Sequence, residues 1–226
     1  DPKTNEKAIG FKERGFLPEA FVNLLAVLGW NDGTDQEIFS MTELIEKFSI
    51  DRVHKGGAKF DYEKAKWFNA TWIKNADNAY LASLVQPYFD EAGIKVQDQT
   101  YLEKIIGITK ERCILLPDFI TQAGFYFAAP TQIDTASIAS KWDDNKKNFF
   151  EALCVAFENS NTTDPLALEN IFKELTASHG LKPGELMLPM RIMLVGGKFG
   201  PGVFEIVATI GISDAVARIK HALTLL

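Results

Sequence analysis

The feature of this sequence that most constrains its fold is the spacing of the apolar residues. They recur every three or four positions in stretches of helix length, as Leu102, Ile105 and Ile106 do on one predicted helical face. The strict alternation that indicates a half-buried strand is scarce, and no self-similar period of about 20–50 residues marks a helical solenoid. The pattern therefore predicts an all-α fold, an irregular multi-helix bundle in two to three lobes.

Start and stop signals divide the chain into about ten helices. Ser40 and Glu43 stand at capping-box spacing, Pro165 suits a first helical turn, and the glycines at 196–197 end a helix. Residues 130–134 have the composition of a linker. The predicted helical segments are Leu17–Leu28, Glu43–Phe48, Tyr62–Lys74, Asn78–Phe89, a run after Asp98, Lys110–Leu116, Asp118–Ala129, Thr135–Phe157, Pro165–Ser178, Pro183–Val195, Val203–Ile210 and a last helix after Ser213.

The composition is that of an ordinary globular protein, with 46% hydrophobic and 24% charged residues. No apolar run approaches the ~20 residues that span a bilayer, and the polar lead-in at residues 1–7 lacks the apolar core of a secretory signal. Cys113 and Cys154 lie in apolar stretches, which favours two small buried hydrophobes in a reduced protein over a disulfide or a metal site. We therefore expect a cytoplasmic protein with no membrane partner.

The charge distribution leaves nucleic-acid binding open. A net charge of −6 argues against it, because phosphate contacts need local positive charge. The stretch from Arg52 to Lys74 is nevertheless net basic, so one face could meet a polyanion within an acidic chain. Its cations are Arg52, Lys55, Lys59, Lys64, Lys66 and Lys74, against Asp51, Asp61 and Glu63.

The motifs of a self-sufficient enzyme are missing from the sequence. The glycine-rich segment 196–202 lacks the Gly-Lys-Ser/Thr ending of a phosphate loop, which favours a tight turn between helices. His54, His179 and His221 have no Cys, Asp or Glu at ligand spacing, and no Gly-x-Ser-x-Gly elbow occurs. We therefore expect no catalytic residue and no metal site. The backbone of the glycine-rich turn could still hydrogen-bond a flat partner such as a nucleobase.

Two arginines in apolar surroundings are unusual. Arg112 precedes the apolar run 113–116, and Arg191 lies between a methionine and an isoleucine. Each admits two interpretations: a side chain that snorkels or pairs with a nearby glutamate, or a guanidinium that hydrogen-bonds or stacks on an unpaired base. The aromatic clusters at 67–72 and 125–127 could be stacking platforms, but their helical spacing favours a place in the core.

Several continuous motifs resemble those of bacterial glutamyl-tRNA synthetases. They are Gly15-Phe16-Leu17-Pro18-Glu19-Ala20 through Leu28-Gly29-Trp30, Asp35-Gln36-Glu37-Ile38-Phe39-Ser40, Phe60-Asp61-Tyr62-Glu63-Lys64, Trp67-Phe68-Asn69, Ile108-Thr109-Lys110-Glu111-Arg112, Pro189-Met190-Arg191-Ile192 and Gly200-Pro201-Gly202-Val203-Phe204-Glu205. The resemblance implies a class I synthetase that joins glutamate to tRNA with ATP and magnesium. That family's His-x-Gly-His motif and lysine-rich loop do not occur in this sequence.

The resemblance implies that the chain is a C-terminal part with an anticodon-binding region of the α-helix cage type. Residues 1–76 would form a stem-contact domain, 77–134 the first anticodon-binding lobe and 135–226 the second. Such a part would be monomeric, would bind glutamate tRNA and not DNA, and would hold no cofactor. It would not be an enzyme by itself, since ATP and magnesium belong to the catalytic domain of the parent protein.

The resemblance also implies roles for single residues. Arg112 matches the arginine that reads the third anticodon base, which is C in glutamate tRNA and G in glutamine tRNA, so this chain should distinguish the two. The segment that contacts the first two anticodon bases is matched by Arg191, Gly200, Pro201 and Val203. The family often has Thr and Leu where this chain has Gly200 and Val203, which puts a hydroxyl contact from position 200 in doubt.

The basic stretch then becomes a candidate surface for phosphates at the inner corner of the tRNA. The candidate contacts are Arg52, Lys55, Lys59, Lys64 and Lys66. The alternative is a helical protein–protein interaction module without RNA binding, in which the aromatic and arginine side chains form a protein-contact patch. The acidic net charge fits that alternative slightly better.

Overall fold

A computed structural model describes residues 9–226, so the polar lead-in and the expectation attached to it lie outside the described residues. Between residues 9 and 226 there are twelve α-helices: α1 Pro18–Gly29, α2 Met41–Lys47, α3 Tyr62–Asn75, α4 Asn78–Glu91, α5 Gln99–Thr109, α6 Asp118–Ala123, α7 Ala136–Ala139, α8 Asp144–Ser160, α9 Pro165–Ser178, α10 Pro183–Val195, α11 Val203–Ile210 and α12 Ile212–Leu223. Strand-like pairing in this range is confined to one bridge between Trp30 and Val53. The predicted all-α fold is confirmed.

Side-chain caps set where several helices begin. The capping box predicted for α2 is confirmed: Ser40 Oγ accepts the N–H of Glu43 at 3.2 Å, and Glu43 Oε2 accepts the N–H of Ser40 at 2.8 Å. An aspartate caps α3, α4, α5, α8 and α9 in a similar way, as Asp98 does for α5. Gly196 ends α10 with φ +83°, and a Cβ there would lie 2.4 Å from the carbonyl oxygen of Gln132.

The predicted helix Lys110–Leu116 is wrong. A 3-10 turn forms at Lys110–Arg112, and the backbone then leaves helical geometry at Cys113. Oδ2 of Asp118 accepts the N–H groups of Ile114 (2.8 Å) and Leu115 (2.9 Å), which gives these backbone groups a partner outside a helix. Pro117 also disfavours the helical conformation at the residue before it.

Two other predicted helices are interrupted. The segment predicted as Thr135–Phe157 divides into α7 and α8, because Asp143 accepts the N–H of Lys146 at 2.9 Å and starts a new helix. The segment predicted as Asp118–Ala129 is α-helical only to Ala123, and a 3-10 turn follows at Gly124–Tyr126.

The chain forms two compact units, one up to Gln122 and the other Ala123–Leu226. The division into domains 1–76, 77–134 and 135–226 stays a prediction. In the first unit, Phe16, Leu24, Ala65 and Phe68 form a buried cluster where α1 packs on α3.

In the second unit, α8, α9 and α11 meet through aromatic side chains. Phe172 contacts Phe149 and Phe204 edge-to-face, each with ring centroids 5.3 Å apart. No helix within residues 9–226 has the length and apolar character needed to cross a membrane.

Candidate nucleic-acid interface

Arg112 ends the 3-10 turn after α5, and its side chain is exposed. One guanidinium nitrogen, Nη1, donates a long hydrogen bond of 3.4 Å to the carbonyl oxygen of Ile108. No carboxylate of residues 9–226 forms an ion pair with this guanidinium. The geometry favours a group held ready for an external acceptor over the ion-paired interpretation.

Arg191 has a different environment in the second unit. It lies on α10, is half-buried, and its Nη1 donates to three successive carbonyl oxygens, those of Phe199 (3.0 Å), Gly200 (2.9 Å) and Pro201 (2.5 Å). These carbonyls belong to the loop between α10 and α11. The arginine therefore ties this loop, here called the 196–202 loop, to the helix that precedes it.

The other predicted residues of this segment differ in exposure. Pro201 and Val203 are buried as whole residues, whereas Gly200 is partly exposed and its neighbour Gly202 is exposed. Gly200 has φ +92°, a conformation that is strained for residues with a Cβ. A threonine at position 200, frequent in the family that the sequence resembles, would be strained in this backbone. The structure brings Arg191, Gly200, Pro201 and Val203 together within one unit.

The basic stretch begins in an exposed loop. Residues 51–60 are all exposed, and Arg52 donates from Nη1 to the carbonyl oxygen of Asp32 at 2.5 Å. The loop is joined to the end of α1 by the N–H of His54, which donates to Gly29 at 2.7 Å. Lys55 and Lys59 have no ion-pair partner within the described part of the chain. Their charges are the most available of this stretch.

Two predicted phosphate contacts are engaged within the protein. Lys64 pairs with Glu37, and Lys66 pairs with Glu63 at 2.9 Å. All four side chains lie at or near the surface, where such pairs contribute little and exchange readily with another partner. A phosphate would have to compete with a carboxylate at these two lysines.

Residues 9–226 offer neither a reactive thiol nor a cluster of metal ligands. Both cysteines are buried and free, and burial raises the pKa of the Cys113 thiol to about 12 and that of the Cys154 thiol to about 11. Within residues 9–226, no group of three or more His, Cys, Asp or Glu side chains is arranged to hold a metal ion. Because their pKa values are raised, the Cys113 and Cys154 thiols are poor nucleophiles at neutral pH.

The sequence analysis missed the most deeply buried arginine. Arg218 is 4% exposed; its Nε and Nη2 donate to the Asp214 carboxylate at 3.0 and 2.7 Å, and Nη1 donates to the carbonyl oxygen of Leu194 at 2.9 Å. It joins α12 to the end of α10. The spacing of four residues between the acid and the arginine was the available signal.

Comparisons with known proteins bear on the whole chain. A family model described as "Anticodon binding domain" matches residues 80–223, and one described as "tRNA synthetases class I (E and Q), catalytic domain" matches residues 3–67. A glutamate–tRNA ligase of Porphyromonas gingivalis is 38% identical over 226 residues, which are 100% of this chain and 44% of that protein. One from Flavobacterium psychrophilum is 38% identical over 225 residues, 99% of this chain and 44% of that protein.

Solved structures give the same result. A glutamate tRNA ligase from Elizabethkingia meningosepticum, in complex with its amino acid, matches with a TM-score of 0.87 and 33% identity, over 100% of this chain and 45% of that one. A glutamate-tRNA synthetase from Elizabethkingia anophelis matches with a TM-score of 0.80 and 33% identity, over 99% and 44% of the two chains. The chain thus spans less than half the length of the relatives that it matches.

Proposed function

This chain belongs to the glutamyl-tRNA synthetase family, and on that premise we propose that it is the tRNA-binding part of a glutamate–tRNA ligase that recognises the anticodon of glutamate tRNA. The observation that carries the proposal is the exposed guanidinium of Arg112, which has no carboxylate partner within the described residues, at the end of a 3-10 turn. An arginine positioned in this way, on a domain of this family, suits the reading of an unpaired base.

The chemistry of the third anticodon base explains why an arginine suits this position. Cytosine presents two neighbouring acceptors, O2 and N3, and guanidinium N–H groups can donate to both. The Watson–Crick edge of guanine mixes one acceptor with donors, so it would leave an arginine donor opposed by another donor. Arg112 would therefore favour glutamate tRNA over glutamine tRNA.

We assign the first two anticodon bases to the 196–202 loop, with Pro201 and Val203 as buried residues that shape it. Support comes from the partly exposed Gly200 and the exposed Gly202, where the loop presents backbone without a side chain. In this arrangement Arg191 acts on the bases through the loop that it holds. We assign phosphate contacts at the inner corner of the tRNA to the exposed loop that carries Lys55 and Lys59.

The joining of glutamate to tRNA is proposed for the whole protein. ATP, with magnesium, would supply the activation of glutamate there. Neither fits the described part of this chain, which has no suitable cluster of metal ligands and no phosphate-loop sequence at 196–202. This chain alone, incubated with ATP, glutamate and tRNA, should therefore form no glutamyl-tRNA.

Binding to two tRNA transcripts tests the anticodon role. They would be glutamate tRNA and the same tRNA with G as its third anticodon base, and the readout is the C-over-G ratio of their association constants. Arg112→Gln should lower that ratio by ~1–3 kcal/mol, about 5- to 150-fold. Arg52→Gln is the control, because losing a phosphate contact should weaken both tRNAs equally. An unchanged ratio in Arg112→Gln would remove this residue from base reading.

A second candidate function has an observation in its favour. Met41 and Ile45 lie four positions apart on α2, and Phe48 and Ile50 follow its C-terminal end; Ile45 is 74% and Ile50 81% exposed. Exposed apolar side chains this close together in the chain favour a protein contact. A protein-interaction module without RNA binding would show no salt-dependent affinity for either transcript, and the tRNA-binding part would show a steep dependence.

A further inference from the structure

We infer that Asn69, a buried residue of α3, is a positioning residue that holds the turn carrying Arg112 in place against the helices of the first unit. The inference rests on the proposed function, since it concerns how the base-reading arginine is placed. Asn69 lies 43 positions before Arg112 in the sequence and has 0% exposure. Its amide joins the start of α1 to the segment that follows Arg112, two parts of the chain that are far apart in the sequence.

The amide of Asn69 meets a donor on one side and an acceptor on the other. Its Oδ1 accepts the N–H of Leu17, at the start of α1, at 2.7 Å. Its Nδ2 donates to the carbonyl oxygen of Ile114, two residues after Arg112, at 2.5 Å. An aspartate would keep the acceptor but would turn a carboxylate oxygen toward the Ile114 carbonyl, and a leucine would satisfy neither partner.

Further contacts hold the same segment against α1 and α3. The N–H of Leu116 donates to the carbonyl oxygen of Gly15 at 3.1 Å. Lys110 Nζ donates to the carbonyl oxygen of Ala76, at the end of α3, at 2.8 Å, and Lys74 pairs with Glu111 at 3.3 Å.

The close packing of Gly15 leaves the segment little room to shift. Gly15 has φ +88°, and a Cβ on it would lie 2.3 Å from Pro117 Cδ. The turn that carries Arg112 is therefore attached at one end to the C-terminal end of α3 and at the other to Gly15, just before α1. Arg112 and the surface proposed to contact the tRNA body then keep fixed positions relative to each other, because both are parts of one packed unit.

The test compares two buried asparagines in the same unit. Asn23 also has 0% exposure: its Oδ1 accepts the N–H of Phe39 (3.0 Å) and Nε1–H of Trp72 (3.1 Å), and its Nδ2 donates to Glu37 (2.9 Å). None of these partners lies in 110–118. Asn69→Asp and Asn23→Asp should therefore lower thermal stability alike. The two tRNA transcripts are then measured at a temperature where both variants are folded.

We expect Asn69→Asp to lower the C-over-G ratio by about three- to tenfold, part of the loss in Arg112→Gln, while Asn23→Asp leaves the ratio unchanged. In the double variant with Arg112→Gln, the Asn69 change should cause no further loss of the ratio. A ratio that Asn69→Asp and Asn23→Asp change equally, or an additive loss in the double variant, overturns the positioning role. An unchanged ratio in Arg112→Gln instead overturns the proposed function and the positioning role together.

A milder pair of variants covers the case in which Asn69→Asp does not fold. Lys110→Met removes the bond to Ala76 at the partly exposed side of the turn, and Lys104→Met removes an exposed charge from α5. Both should weaken the two tRNAs through lost charge. A lower C-over-G ratio in Lys110→Met alone supports the positioning role, and equal ratios in the two variants contradict it.

Discussion

The hydrogen bonds of Arg191 make a quantitative prediction about the 196–202 loop. Arg191→Met keeps most of the apolar stem but removes the nitrogen that donates to Phe199, Gly200 and Pro201. One nitrogen with two N–H groups is shared among three acceptors, so we count about two hydrogen bonds from a charged donor. Their contribution to the free energy of unfolding is reduced because the side chain is only half-buried. The free energy of unfolding of the second unit should fall by about 2 kcal/mol.

The loss should be concentrated in the loop. If the loop opens locally, about 2 kcal/mol corresponds to about thirtyfold faster hydrogen exchange of the Phe199, Gly200 and Gly202 amides. On tRNA, discrimination at the first two anticodon positions should weaken, and discrimination at the third should be kept.

Arg218→Met is the matched control for general destabilisation. It removes a more deeply buried guanidinium and leaves the half-exposed Asp214 carboxylate and the Leu194 carbonyl without their partner, which should cost about 2 kcal/mol in unfolding free energy. Its contacts do not reach the 196–202 loop. Loop exchange that is unchanged in Arg191→Met, or accelerated equally in Arg218→Met, would refute the role assigned to Arg191.

Two further predictions concern backbone geometry and charge. Gly196→Ala should lower the free energy of unfolding, measured by urea titration, by more than about 2 kcal/mol, because position 196 has a positive φ and a Cβ there would meet a carbonyl oxygen. The control is Gly184→Ala, which has open space around it on α10 and should be neutral or stabilising. Equal effects of the two changes would contradict the prediction. Lys55→Glu and Lys59→Glu should weaken all tRNAs about equally and flatten the dependence of log affinity on log salt by about one unit each. Lys95→Glu, an exposed lysine outside the basic stretch, should leave that slope near its parent value, and a slope unaltered by the first two changes would count against a phosphate contact.

Where local signals dominate, the sequence was a reliable guide. The α2 capping box depends on Ser40 and Glu43, three residues apart, and Val203–Ile210 was predicted with the bounds that the structure has. The family was also recognisable from continuous motifs. Each of these signals is complete within a short window, so no knowledge of distant contacts is needed.

Local pattern failed where distant or competing partners decide. The residues 110–116 have helical apolar spacing, but Asp118 and Pro117 end the helix early. Arg112 and Arg191 looked alike in sequence, yet one is exposed and the other is bonded to a loop eight to ten residues further on.

By itself, the sequence determined the all-α class, most helix bounds and the family, because periodicity, caps and motifs act over a few residues. The tertiary structure alone decided the roles of those polar side chains whose partners are distant in the sequence. The roles of Asn69 and Arg218 depend on partners 45 and 24 positions away, and which groups meet across such distances follows from packing rather than from spacing along the chain.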